Sequence, residues 1–301
     1  MKKTVKGLLA AAALVAVPAA VNAVIFKRAQ KRARRENEKS YKWRHGKVRY
    51  TVTGEGEPLL LVHGMYPGAS LAEWDKCAAS LARHCRVYAL DLLGFGYSDK
   101  PAISYSAYLQ VMLINDFVRQ VIGRRVTAAA PGGSGALVAM AYYFEPDLYG
   151  KMLLISPTGI GASGRKLPRN GDTWLKWLLD TPVIGTSVYN FICSRARING
   201  FSRTPGDENY YSAHYGGANA RFSLAALLTN FMNVCVEHVL PKINIPLRVL
   251  WGSANTANTA DSFELIKRLC PQAELTVFKD AGELPHMDNP RAFCNLCREF
   301  I

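Results

Sequence analysis

Pro58-Leu59-Leu60-Leu61-Val62-His63-Gly64 is a continuous apolar run stopped by a polar residue and a glycine. A strand with one wet face alternates apolar and polar residues, whereas a strand covered on both faces has no reason to. The run therefore predicts an interior strand of a parallel sheet. Working outward, Arg86–Leu90, Arg125–Ala130, Met152–Ser156, Leu247–Trp251 and Glu274–Phe278 read as further strands. Helical periodicity occupies 71–83 and 105–123, and helices are expected from Ala136 and from Pro290. Before the run, Lys47–Val52 alternates like a half-exposed strand and Gly54–Glu57 supplies a turn. Strands alternating with helices predict an α/β fold with a parallel sheet and right-handed crossovers.

The rhythm breaks between Pro157 and Pro246, in a stretch with helical patterning and many aromatics: Trp174, Trp177, Tyr189, Phe191, Tyr210, Tyr211 and Tyr215. In open α/β sheets ligands bind beyond the carboxyl ends of the strands. The stretch thus reads as a helical lid over those ends, most of its aromatics packing the lid to the body. The expected organisation is an arm and linker at 1–45, a core at 46–158 and 247–301, and a lid at 159–246.

The formal net charge is +14. Residues 1–50 hold 14 Lys/Arg against Glu36 and Glu38, a surplus of twelve, so the body carries only the remaining two charges. With no basic stripe interleaved with aromatics in the body, nucleic-acid binding is not expected. In the arm, Lys2, Lys3 and Lys6 precede an apolar run from Leu8 to Phe26, interrupted by Pro18 and Asn22. As a helix that run spans roughly 28 Å, near the hydrocarbon thickness of a bilayer. It is followed by Lys27-Arg28-Ala29-Gln30-Lys31-Arg32-Ala33-Arg34-Arg35. A cleaved signal peptide would use Val21-Asn22-Ala23 as its cleavage site and release the body outside the cytoplasm. An uncleaved anchor would keep the basic cluster and the body on the cytoplasmic side. The heavy positive cluster after the run favours the anchor.

Seven cysteines at scattered positions fit a reducing compartment better than a disulfide-stapled domain. Cys294 and Cys297 form a C-x-x-C inside an expected helix, with no second pair nearby, and read as buried helix residues. His45, His84, His214 and His238 share no metal-ligand spacing, so neither a metal nor another cofactor is expected.

Four segments point further when taken together. They are His63-Gly64 after the central strand, Asp91-Leu92-Leu93-Gly94-Phe95-Gly96-Tyr97-Ser98-Asp99-Lys100-Pro101, Trp251-Gly252, and Leu284-Pro285-His286 with Asn289-Pro290. This set resembles the α/β-hydrolase superfamily over roughly residues 45–301. The Asp91–Pro101 stretch is similar to that of chlorophyll-ester hydrolases of the pheophytinase kind and related lidded esterases. The resemblance implies an α/β-hydrolase fold, with a mostly parallel central sheet flanked by helices and an inserted helical lid. It also implies a pocket for a hydrophobic or ester-bearing small molecule.

In that family three positions carry the chemistry, and all three depart here. The histidine that follows the small pair Ala281-Gly282 is replaced by Glu283, and a carboxylate acts as a base near neutral pH only after a large environmental shift. The aspartate of W-G-x-x-D is replaced in Trp251-Gly252-Ser253-Ala254-Asn255 by an amide, which cannot stabilise an imidazolium by charge. The nucleophile belongs on a tight strand-to-helix turn, G-x-S-x-G. Matching Gly135-Ala136 to the small pair after it puts Gly133 in the nucleophile slot. Sliding by one residue makes Ser134 the nucleophile within Gly132-Gly133-Ser134-Gly135-Ala136, and the first register is favoured.

An oxyanion hole is expected from the backbone N–H groups of Ser134 and Met65, and His63 is expected to anchor the His63-Gly64 loop. His286, three residues past the vacant slot, is a candidate substitute base. Asp91 is expected to cap its turn. The favoured reading is a membrane-anchored protein of degenerate hydrolase fold that binds a hydrophobic or ester-like ligand. The alternative is a working serine esterase that uses Ser134 with His286 or Glu283 as base.

Overall fold

The apolar run Pro58–Val62 forms β3, and all five of its residues are buried. The computed structural model describes residues 16–24, 37–161, 173–199, 219–255 and 260–301. Around β3 lie β1 (Glu38–Trp43), β2 (Gly46–Thr53), β4 (Arg86–Leu90), β5 (Val126–Pro131), β6 (Tyr149–Ile155), β7 (Leu247–Gly252) and β8 (Glu274–Phe278). The sheet order is β1-β2-β4-β3-β5-β6-β7-β8. The β1–β2 and β2–β4 pairs are antiparallel and every other pair is parallel.

Helices cover both faces, which explains why β3 has no polar alternation. Leu60 and Val62 pack on one side, with Phe117 and Leu137 in their cluster. Leu59 and Leu61 pack on the other, with Trp74 and Phe293 in theirs. Successive side chains of a strand point to opposite faces, so one short run feeds two cores. Each fully buried leucine contributes about 1.5–3 kcal/mol.

The helices are α1 at 16–24, α2 (Asp75–Leu81), α3 (Ala107–Phe117), α4 (Gly132–Phe144), α5 (Thr173–Asp180), α6 (Pro182–Asn199), α7 (Ala220–Leu228), α8 (Ala260–Leu269), α9 (Pro285–Asp288) and α10 (Pro290–Phe300). Helices α5 to α7 lie between β6 and β7, in the stretch read as the lid. Tyr210, Tyr211, Tyr215, the arm before residue 16 and the basic cluster after residue 24 lie outside the described residues.

Three expectations need correction. Residues 38–43, read as linker, form edge strand β1, whose Trp43 donates its indole N–H to Asp116 (2.8 Å). Their polar composition hid the strand because an edge strand needs little apolar surface. The helix expected over 71–83 is α2 preceded by a single 3₁₀ turn at Leu71–Trp74. The helix expected over 105–123 is α3 continued by one π turn at Val118–Ile122, ending at left-handed Gly123.

The chain runs from β3 to β4 on one side and then crosses to β5 on the other, so the carboxyl ends of β3 and β5 flank the point where strand order reverses. Ligand crevices open there. The loop that carries Glu283 is set beside this point by β7. A side chain on Gly252 would place its Cβ 1.9 Å from the Gly282 carbonyl oxygen. Ala254 N–H also donates to Ala281 O (2.9 Å). Gly252→Ala is therefore expected to force these backbones apart at a cost of about 3 kcal/mol or more. Thermal unfolding should show Tm lower by about 6 °C or more.

Candidate active site and its buried support

The strand-to-helix bend after β5 is fixed by Gly132, whose φ of +52° lies in the left-handed region. Gly133, the residue favoured from sequence, sits one position later, as the second residue of α4. The register is thus Ala130-Pro131-Gly132-Gly133-Ser134, with a small residue two positions to either side of the bend. This is the spacing the G-x-S-x-G pattern requires, because the tight turn brings strand and helix backbones together. Ser134 fills the second small position. It is fully buried, and its Oγ has no hydrogen-bond partner among the described residues. Gly135 is needed one residue on, where a Cβ would lie 3.2 Å from Ala130 O.

A Cβ built on Gly132 would point toward Glu283, with Oε1 at 3.9 Å. A Cβ on Gly133 would instead press on Met65, 3.1 Å from its Cβ. Two geometric criteria, the left-handed φ and the direction toward Glu283, therefore select Gly132 as the residue at the bend. The N–H expected to serve an oxyanion hole shifts by the same one residue. The backbone N–H following the bend is that of Gly133, at the start of α4, rather than that of Ser134.

The loop that presents Met65 is built around two buried side chains. His63 donates from Nδ1 to Gly64 O (2.8 Å) and accepts Leu92 N–H at Nε2 (3.1 Å). The second is Glu73, in the 3₁₀ turn before α2, which the sequence reading passed over. Its Oε2 accepts Gly64 N–H (2.8 Å) and Tyr66 O–H (2.7 Å), so the carboxylate grips the loop on both sides of Met65. Its Oε1 bonds His286 Nε2 at 2.8 Å, and neither side chain is exposed. Burial alone would raise the Glu73 pKa. The hydrogen bond and charge of His286, with the Gly64 and Tyr66 donors, outweigh burial and hold it below the ordinary carboxylate value.

His286 is thus committed to Glu73. Its ring stacks on Trp74 with centroids 4.5 Å apart and meets Phe293 at 5.7 Å. Its Nδ1 has no partner among the described residues. It is fully enclosed, and the structure joins it to the support of the Met65 loop, not to Ser134. Asp91 supports the neighbouring turn by accepting Leu71 N–H (2.6 Å) and Tyr97 N–H (2.8 Å).

Glu283 occupies a half-buried position between Gly282, whose N–H donates to Asp288 Oδ2 (2.8 Å), and the start of α9. Its pKa is raised, first by desolvation and second by the negative charge of Glu73. Asn255 lies half-buried past the end of β7, its N–H donating to Gly252 O (3.0 Å). The Cys294–Cys297 pair sits buried on α10, with the Cys294 thiol donating to Cys77 O on α2 (3.8 Å). Among the described residues no group of His, Cys, Asp and Glu side chains is arranged to hold a metal ion.

A parallel sheet with a glycine-lined bend at β5 and an N–H-bearing loop after β3 is the frame of an α/β hydrolase. Residues 59–296 match the Alpha/beta hydrolase family, and the chain belongs to that family. Lipase 3 of Moraxella sp. is 26% identical over 261 residues, covering 81% of this chain and 77% of the lipase. A mesoderm-specific transcript homolog protein of Homo sapiens is 25% identical over 277 residues, covering 83% and 80%. Among solved structures, a bacterial membrane phospholipase A superposes with a TM-score of 0.70 at 24% identity, covering all of this chain and 98% of that one. An esterase of Thermogutta terrifontis gives 0.71 at 20% identity, covering 87% and 97%.

Removing the Glu73 carboxylate strands three buried groups, Gly64 N–H, Tyr66 O–H and His286 Nε2, at about 1–3 kcal/mol each and so about 3 kcal/mol or more together. Glu73→Ala is expected to destabilise the fold by that amount in urea titration, and Glu73→Gln by less because the amide oxygen still accepts. For Glu283 the sign is opposite. A carboxyl whose folded pKa exceeds its unfolded value stabilises fully below the unfolded pKa, and that stability is lost as pH rises through the folded pKa. Glu283→Gln is therefore expected to raise Tm at pH 8 relative to the parent while leaving Tm at pH 4 nearly unchanged.

Proposed function

We propose that this chain is a membrane-tethered protein of α/β-hydrolase fold that binds a hydrophobic, ester- or acyl-bearing small molecule without hydrolysing it through a serine. The observation that carries this reading is Gly132. The bend that should present a nucleophile presents a residue with no side chain. Against Ser134 acting with His286 speak the burial of Ser134 past the bend and the hold of Glu73 on His286. The binding half of the site remains chemically sensible. N–H groups of Gly133 and Met65 are suited to a carbonyl or carboxylate oxygen, and Glu73 fixes the second of them in place. The tether rests on the apolar run and basic cluster of the arm. Among the described residues no helix is long and apolar enough to cross a membrane.

One observation favours a second reading in which hydrolysis survives. Glu283 has a raised pKa and faces the space that a nucleophile would fill, so it is suited to take a proton from a water held there.

Both readings predict that a fluorophosphonate probe leaves the native chain unlabelled; labelling at Ser134 would overturn them. They separate on esters. The binding reading expects retention of the fluorescent fatty acid parinaric acid with no turnover of p-nitrophenyl butyrate, whereas turnover abolished by Glu283→Gln establishes the second. Restoring the three missing groups gives the converse test. Gly132→Ser with Asn255→Asp and Glu283→His is expected to hydrolyse p-nitrophenyl butyrate and to accept the probe at residue 132. The same triple built with Gly133→Ser should do neither, because the new side chain meets Met65. A folded Gly132 triple without activity would refute the assignment of the bend.

A further inference from the structure

Helix α1 at 16–24 does not stand apart from the body. Asn22 interrupts its apolar sequence, and that amide is bonded to lid helix α6 on both of its ends. Its Nδ2 donates to Val183 O (3.2 Å) and to Ser187 Oγ (3.1 Å), while Oδ1 accepts from Asn190 Nδ2 (2.9 Å). Val183, Ser187 and Asn190 are spaced by four and three residues, so they form one flank of α6. The neighbouring flank carries Ile184 and Phe191, seven residues apart and both exposed. The opposite flank turns Gly185 and Tyr189 inward. On α5, Trp177 is likewise exposed, and on α1 so are Val17, Val21 and Val24. These six apolar side chains are 50% to 69% exposed, the extremes being Val24 and Trp177.

Large apolar side chains this exposed, on adjacent elements, mark a surface that water does not cover by preference. We propose that α1, α5 and α6 form one surface that seats the lid on an anionic phospholipid bilayer. The proposal rests on the tether argued above and extends it from the arm to the lid. Charge favours a bilayer over a second copy of the chain. Three residues after Val24 the sequence enters Lys27–Arg35, with six basic and no acidic residues, which two copies would bring together against each other. Anionic headgroups instead neutralise such a cluster where an apolar face enters the interface. The Asn22 bonds supply the coupling. Whatever depth α1 takes in the bilayer, α6 is held beside it at the level of Asn22, so Ile184 and Phe191 reach the same interface. The lid, and with it access to the crevice beneath, is then oriented by the membrane.

The test uses the full chain mixed with vesicles of phosphatidylglycerol and phosphatidylcholine whose acyl chains carry bromine, a contact quencher of tryptophan. Flotation with these vesicles is expected, with at least tenfold weaker partition into phosphatidylcholine alone. Tryptophan emission should fall on binding. Most of that quenching should vanish in Trp177→Phe and return in Trp177→Phe/Phe191→Trp. Asn22→Ala should still float, yet show weaker quenching from residue 191 because α6 is released from α1. A chain that floats with residues 177 and 191 both unquenched overturns the seated lid and leaves the tether standing. A chain that does not float overturns the tether and the surface together. A sedimentation mass of two chains, with the same residues unquenched, assigns the face to a second copy and also overturns the proposal.

Discussion

The carboxylate of Glu73 holds together two parts of the site that lie more than two hundred residues apart in sequence. One oxygen holds the turn after β3 by its Gly64 N–H and Tyr66 O–H. The other holds His286 in the short helix that follows Glu283. An ion in a protein interior survives only where every available donor is turned toward it. Here three donors converge on it, and the Trp74 ring closes over the imidazole. The placing of the turn that carries Met65 and the confinement of His286 both follow from this one group. Its charge is also felt outside the pair, as the second cause of the raised Glu283 pKa.

Much of the fold was legible because hydrophobic pattern reports burial directly. Five consecutive apolar residues in β3 announced a strand covered on both faces, and the alternation of strands and helices announced the parallel sheet. The polar edge strand β1 was not legible, since its pairing with β2 depends on backbone groups that leave little trace in composition. The bend was legible only to within one residue. In Pro131-Gly132-Gly133-Ser134 two consecutive glycines can each adopt positive φ, so composition alone does not say which one does. The needed signal was present in the small residues two places to either side, Ala130 and Ser134, and in Gly135 against Ala130 O. Read as spacing constraints, they point to Gly132. Glu73 was invisible for a different reason. An acid at the start of a helix reads as an ordinary favourable interaction with the helix dipole, and nothing local says that its partner is His286.

Glycine at the bend also changes the energetics of the turn. A residue with a Cβ in the left-handed region carries about 1–2 kcal/mol of strain, which a nucleophile must sustain to be presented. Gly132 carries none of it, so this turn is held without that strain. Its surroundings stay tight: Gly252 is closed by Gly282 O and Gly159 by Val234 O, each leaving no room for a side chain. The frame is therefore maintained by backbone packing that does not depend on which side chain stands at the bend.

The same energetics decide against His286 as a replacement base. To reach a proton at the bend the ring would have to leave Glu73, stranding a carboxylate with no solvent contact. It would also have to give up its stacking on Trp74. Breaking such a pair costs about 3–5 kcal/mol, or roughly two to four powers of ten in the population of the competent state. That loss would come before any barrier to the reaction itself and with no aligned hydroxyl to accept the help. Glu283 suffers no such penalty, being half-buried and already directed at the empty position. Burial, and after it the charge of Glu73, keeps that carboxyl closer to its protonated form.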